Sequence, residues 1–205
     1  MLVVIFVLAI LAALLLPALN RPYNGGGPSC MSNQRQIALG FFMFKEDNEG
    51  KFPWQLSATN GGAAELVGDG HPSSQFRAIL DYTKYLGTYI CPTDTAKQVA
   101  TNYKTFGDSN TSYFVNVDAT TNNPSLTILT GDRYLEVKGK PVNPGLFNYS
   151  TNMTLNWAIG FHHNSHNEPW GGFSFADGHA QFVGSDDLNS FFQKQTFATT
   201  RLAIP

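Results

Sequence analysis

The first twenty residues, MLVVIFVLAILAALLLPALN, carry no charged side chain, and the first charge is Arg21. No other stretch limits so strongly what this chain can become. As an α-helix rising ~1.5 Å per residue, Met1 to Leu19 would span about 28 Å. The hydrocarbon core of a bilayer is ~30 Å thick. The run is apolar on every side, so such a helix has no face for water and needs lipid or other apolar helices around it. Pro17 lacks an N–H and would kink or loosen it, which membrane helices tolerate where neighbours repair the hydrogen bonding. A cleaved signal peptide calls for a basic start and a shorter apolar core, and no basic residue precedes this run. A plain transmembrane anchor fits the length. A buried core helix of one domain fits neither the length nor the uniformity.

Beyond Leu19 the chain is polar. Charged residues make up only 14% of the 205 residues, against a typical quarter, while aromatics reach 13%. Gly, Asn, Ser and Thr are plentiful, which reads as a loop-rich, β-containing exported domain. The formal net charge of −2 gives no basic footprint for nucleic acid. The segment RPYNGGGPSC holds two prolines and three consecutive glycines, residues that weaken a helix by about 3 and 1 kcal/mol each relative to alanine. It predicts a flexible joint over residues 21–29, between an N-terminal segment, 1–20, and a head, 30–205.

Within the head, Met31, Ile37, Leu39, Phe41, Phe42 and Phe44 predict an amphipathic helix, closed by Gly50 and kept from restarting by Pro53. SSQFRAILDYTKYLG predicts a short helix leading to a Cys-Pro turn at Cys91. TSYFVNV, SLTILTGD, RYLEV, LNWAIGF, GGFSFAD and HAQFV predict short strands. Asp177-Gly178 is the best hairpin signal, since a two-residue type I′ turn needs positive φ at both centres. SDDLNSFFQK predicts a closing helix capped by Ser185.

Two segments carry a family resemblance. LVVIFVLAILAALLLPAL is similar to the N-terminal helix of type IV pilins and pseudopilins. SCMSNQRQIALGFFMFKEDNEGKFPW resembles the signature of pilin-like proteins from Planctomycetes and Verrucomicrobia at Cys30, Asn33, Gln36, Ile37, Asp47, Asn48, Gly50, Phe52 and Pro53. The chain opens inside the family's N-terminal motif, so the leader, its cleavage point and the assembly glutamate are not assigned. The resemblance implies an α+β fold: a long N-terminal apolar helix, a Gly/Pro joint, and a head with an amphipathic helix and an antiparallel sheet. It implies a non-enzymatic structural subunit of a pilus-like filament or pseudopilus. Assembly would run through Leu2, Val3, Val4, Ile5, Phe6, Val7, Leu8, Ala9, Ile10, Leu11, Ala12, Ala13, Leu14, Leu15, Leu16 and Pro17. The partners implied are further copies of the chain, the inner membrane before assembly, a prepilin peptidase and the pilus or secretion machinery. The location implied is the inner membrane and then an extracellular or periplasm-spanning filament. The competing class is a monomeric, membrane-anchored binding or enzymatic domain.

Cys30 and Cys91 are the only cysteines. They are two separate buried thiols or, in an exported head, one disulfide; the disulfide is the expectation. Two cysteines without a CxxC pattern do not by themselves make a zinc site. FHHNSHNEPWGGFSFADGHAQF gathers His162, His163, His166, Glu168, Asp177 and His179, the side chains a metal site or hydrolase would use. It contains no HExxH, and the chain has no GxSxG or phosphate-binding glycine loop. The stretch resembles the family's C-terminal H-x9-DG element, with Asn167 at the position of the expected histidine. This implies a turn at Asp177 and Gly178 with a histidine bonded across the loop. No cofactor is expected, with calcium as the alternative and His163, His166 and Asp177 as its candidate ligands.

Overall fold

The computed structural model describes Val4, Phe6, residues 26–159, His162, and residues 169–195 and 199–205. Its helices are α1 (Gly26–Asp47), α2 (Pro72–Arg77), α3 (Leu80–Thr83) and α4 (Ser185–Gln193), with short 3-10 turns between them. The strands are β1 (Tyr113–Asn116), β2 (Ile128–Asp132), β3 (Leu135–Val137), β4 (Lys140–Pro141), β5 (Gly145–Ser150), β6 (Leu155–Trp157), β7 (Trp170–Phe175), β8 (Ala180–Gly184) and β9 (Thr199–Ile204). Six strands form an antiparallel sheet in the order β5-β9-β1-β2-β7-β8, and β4-β3-β6 form a small second sheet.

The expected architecture needs correction. Helices and antiparallel sheets are both present, but among the described residues no long apolar helix leads the fold. The longest described helix is amphipathic α1, and no described helix is long and apolar enough to cross a membrane. Of the expected assembly residues only Val4 and Phe6 are described; the others lie outside the described residues. Residues 26–29 of the expected joint are helical, because α1 begins at Gly26 and runs through Gly27, Pro28 and Ser29; residues 21–25 lie outside the described residues. Proline is tolerated in a first helical turn, where its missing N–H has no intrahelical partner to lose. Gly27 has a packing reason: a Cβ there would lie 2.4 Å from the Trp170 ring.

The large sheet buries both faces. On one, Ile37, Ala38, Phe41 and Phe44 of α1 pack with Tyr113, Val115 and Leu129. On the other, Phe114, Phe173, Phe175, Leu202 and Ile204 pack against Leu188 and Phe192 of α4. The alternation of Tyr113, Phe114 and Val115 between the two cores is the period-two signature of a strand buried on both sides. In β2 the period breaks. The step from Ile128 to Thr130 faces a single step from Phe175 to Ser174, a β-bulge. One extra residue redirects the side chains beyond it, so Thr130 and Asp132 stand opposite Val115 and Tyr113, on the α1 face.

Two local expectations also change. Ser185 is the first residue of α4, not its cap; the N-cap is Gly184, with no side-chain cap. The Asp177-Gly178 turn is wider than a two-residue I′ turn. Gly178 alone of the pair has positive φ, +88°, with its N–H on Phe175 O at 2.9 Å, and the Phe175 N–H reaches His179 O at 3.0 Å. This is a type I turn followed by a left-handed residue, the three-residue hairpin solution. Gly178→Val is expected to lower stability by about 1–2 kcal/mol, because a β-branched residue resists left-handed backbone. Thermal unfolding measures this; an unchanged midpoint would contradict the turn geometry.

Candidate functional site

Where α1 meets the sheet, the interior turns polar. Cys30, in the second turn of α1, forms a disulfide with Cys91, which follows the 3-10 turn Leu86–Tyr89; their Cα atoms are 4.9 Å apart. Both are buried. Asn33, one turn beyond Cys30, donates to Ile90 O at 2.8 Å and so fixes the same two segments together. His162 Nε2 lies 3.4 Å from Cys91 Sγ and 3.5 Å from Thr93 Oγ1, with its ring stacked on Trp170 at 4.3 Å. The two sulfurs and a His162 ring nitrogen all lie within 4.8 Å of one another.

Asp132 completes this region. Its Oδ2 lies 3.9 Å from His162 Nε2 and accepts the Gly172 N–H at 2.7 Å. Burial pushes its carboxyl up to about 7; the Gly172 N–H works against that rise and the nearby Asp94 charge adds to it. Asp132 Oδ1 and both amide atoms of Gln34 are buried with no hydrogen-bond partner among the described residues. Gly172 leaves the room: a Cβ there would lie 2.8 Å from Gln34 Nε2 and 3.6 Å from Asp132 Oδ2. An unsatisfied buried polar atom costs about 1–3 kcal/mol, so three in one place need an account.

Beside this region sits a paired ion cluster. Arg133 Nε and Nη2 donate to the two carboxylate oxygens of Asp94 at 2.8 and 3.1 Å, and Tyr134 Oη donates to Asp94 Oδ1 at 2.8 Å. Burial and the Asp94 carboxylate push the Tyr134 phenol up to about 12.

Of the expected metal ligands only Asp177 is among the described residues. His163 and His166 lie outside the described residues. Asp177 sits in the hairpin turn, where its Oδ1 meets His179 Nδ1 at 2.5 Å and accepts the His179 N–H at 3.1 Å. The histidine it meets among the described residues is therefore two residues away. His162 is one candidate among several in the sequence. Gln34 and Asp132 carry no signal at all there, being a polar residue on a helix and the end of a strand. Their role comes from the bulge that turns Asp132 toward α1.

No protein-family model, no curated protein and no solved structure matches this chain.

Proposed function

We propose that this chain is a structural, non-enzymatic subunit of a pilus-like or pseudopilus-like filament. The described fold is its head, and the apolar run at residues 2–17 carries the assembly contact. One observation supports this reading most: the residues that resemble the pilin-like signature are spent on architecture. Cys30 is bonded to Cys91, and Asn33 to Ile90 O. Gln36 Oε1 accepts from Thr88 Oγ1 at 3.3 Å, and Asp47 Oδ2 from Tyr82 Oη at 2.9 Å. Asn48 Nδ2 closes the helix end by donating to Phe44 O at 2.7 Å, and Gly50 lies just beyond it with φ +79°. Ile37, Phe52 and Pro53 are buried. A signature made of staples, caps and core marks a fold that is kept for its shape. The polar groups best suited to chemistry, Gln34, Asp132 and His162, are themselves interior.

In this reading the chain waits in the inner membrane and then joins other copies in an exported filament, with the pilus or secretion machinery as its partner. Electron microscopy of cells making the full chain tests it. Filaments are expected, and deletion of residues 1–19 is expected to abolish them while leaving a monomeric head with unchanged circular dichroism. Filaments in undiminished number from the deleted chain would refute the assembly role. A full chain that stays monomeric in membranes would favour the anchored binding domain instead.

A further inference from the structure

We propose that reduction of the Cys30–Cys91 bond converts this region into a site for one zinc ion, held by Cys30 Sγ, Cys91 Sγ, His162 Nε2 and Asp132 Oδ2. The inference is independent of the filament reading. In the oxidised chain the two sulfurs share a bond and offer no thiolate. A dithiol reductant supplies two electrons and two protons, leaving two protein thiols and its own cyclic disulfide. Zinc then binds both sulfurs as thiolates and displaces those two protons to water. The net reaction takes up one dithiol and one Zn²⁺ and releases one small disulfide and two H⁺.

Three observations converge on this assignment. First, the donors are the right kind and number. Thiolate and imidazole suit zinc, and structural zinc sites are closed and four-coordinate. Second, the spacing is close to a finished site. Tetrahedral bonds of ~2.3 Å to sulfur and ~2.0 Å to nitrogen place those two atoms roughly 3.5 Å apart; Cys91 Sγ and His162 Nε2 are 3.4 Å apart. The Asp132 oxygen is 3.9 Å from His162 Nε2 but is not also within 4.8 Å of both sulfurs, so it must move toward them to become the fourth ligand. The sulfurs must separate, and breaking their bond permits that. Third, polar atoms of Asp132 and its neighbour Gln34 are buried without partners among the described residues. Asp132 Oδ1 and the Gln34 amide carry that unmet hydrogen-bonding capacity, and the absence of a side chain at Gly172 gives the Gln34 amide its room beside Asp132. A cation bound at Asp132 gives that buried carboxylate the counter-charge that a buried ion requires. Trp170, stacked flat on His162, fixes the plane of the imidazole, as groups around a ligand often do.

The consequence is a chain with two exclusive staples at one place. Oxidised, a covalent bond ties the start of α1 to the Cys91 turn. Reduced, a metal ties the same two segments and adds β2 and the segment carrying His162.

The test uses the full chain in detergent, reduced with dithiothreitol and desalted under argon, with cobalt(II) as the probe. The reduced chain is expected to take up one equivalent of cobalt, with the thiolate charge-transfer and tetrahedral d–d absorption of a two-sulfur site. One equivalent of zinc should then bleach both. The oxidised chain should give neither band. His162→Gln keeps both thiols and a similar volume. It is expected to weaken cobalt binding by more than the ~100-fold that loss of a supporting group costs, with its circular dichroism unchanged. Asp132→Asn should keep the charge-transfer band and shift the d–d bands, because a different fourth ligand completes the site. A reduced wild-type chain that shows no band at one equivalent overturns the proposal. So does an unchanged affinity in His162→Gln, and unchanged d–d bands in Asp132→Asn overturn the four-ligand assignment.

Discussion

Cys91→Ser is expected to lower the stability of the oxidised protein by about 4 kcal/mol. The bond closes a sequence separation of 61 residues, and on the chain-entropy account a loop of that size restricts the unfolded ensemble by about that amount. The loop contains the 3-10 turns Pro53–Gln55, Ala58–Asn60 and Ala64–Asp69, together with α2 and α3. These are short elements with little cooperativity of their own, so they depend on both ends being held. Trp54 and Phe76, which line that loop, pack on Phe41 of α1 at ring distances of 5.2 and 5.9 Å. Loosening Cys91 therefore loosens an aromatic core as well. In a domain of this size the thermal midpoint should fall by roughly 8–16 °C. Thermal unfolding of wild type and variant under oxidising conditions, with a chelator present, measures it. Adding a dithiol to the wild type should reproduce most of the loss. A shift of only a degree or two would mean that packing alone holds these segments.

Arg133→Met should cost about 3–5 kcal/mol, the usual penalty for leaving a buried charge without its partner. The Asp94 side chain is fully buried and Arg133 largely so, so solvent cannot stand in for the lost guanidinium. This variant should also invert a pH dependence. Burial raises the Asp94 carboxyl, but the hydrogen bonds and charge of Arg133, with Tyr134 and Ser112 helping, outweigh it and hold the group below its ordinary value. The unfolded chain then binds this proton more readily than the folded one, so stability rises with pH. The contribution is complete above the unfolded value, near 4, and is lost as pH falls through the lower folded value. Without Arg133, burial is opposed only by the Tyr134 and Ser112 hydrogen bonds, and the carboxyl moves up. The unfolded chain then gives up the proton first, and stability falls as pH climbs above about 4. Denaturant unfolding of both proteins from pH 3 to 7 reads the difference. Parallel curves would show that Asp94 is not governed by Arg133.

Elements that announce themselves within a few residues are legible in the chain. The apolar spacing from Ile37 to Phe44, stopped by Gly50 and Pro53, describes most of α1. The alternation around Phe114 and Phe173, with Gly178 supplying a left-handed turn residue, describes β1 and the β7-β8 hairpin. The mixture of helices and antiparallel strands comes from such patterns, because periodicity and turn chemistry are local properties. The arrangement of those pieces is not local. A leading apolar helix is the natural reading of twenty uncharged residues, yet the described fold is organised by α1, whose first turn uses Gly27 and Pro28 because Trp170 arrives from far along the chain. No strand is predicted from the sequence at Thr199–Ile204, but as β9 it lies between β5 and β1 inside the large sheet. Strand pairing depends on partners distant in sequence, so nothing near Leu202 foretells its place. The candidate site shows the same division. Its cysteines and histidines are visible in the sequence as reactive types. Gln34 and Asp132 are not, and a one-residue bulge after Ile128 decides which face of the sheet Asp132 meets. Residue types set what chemistry is available; register, fixed only when the strands pair and α1 packs, decides which groups share a pocket.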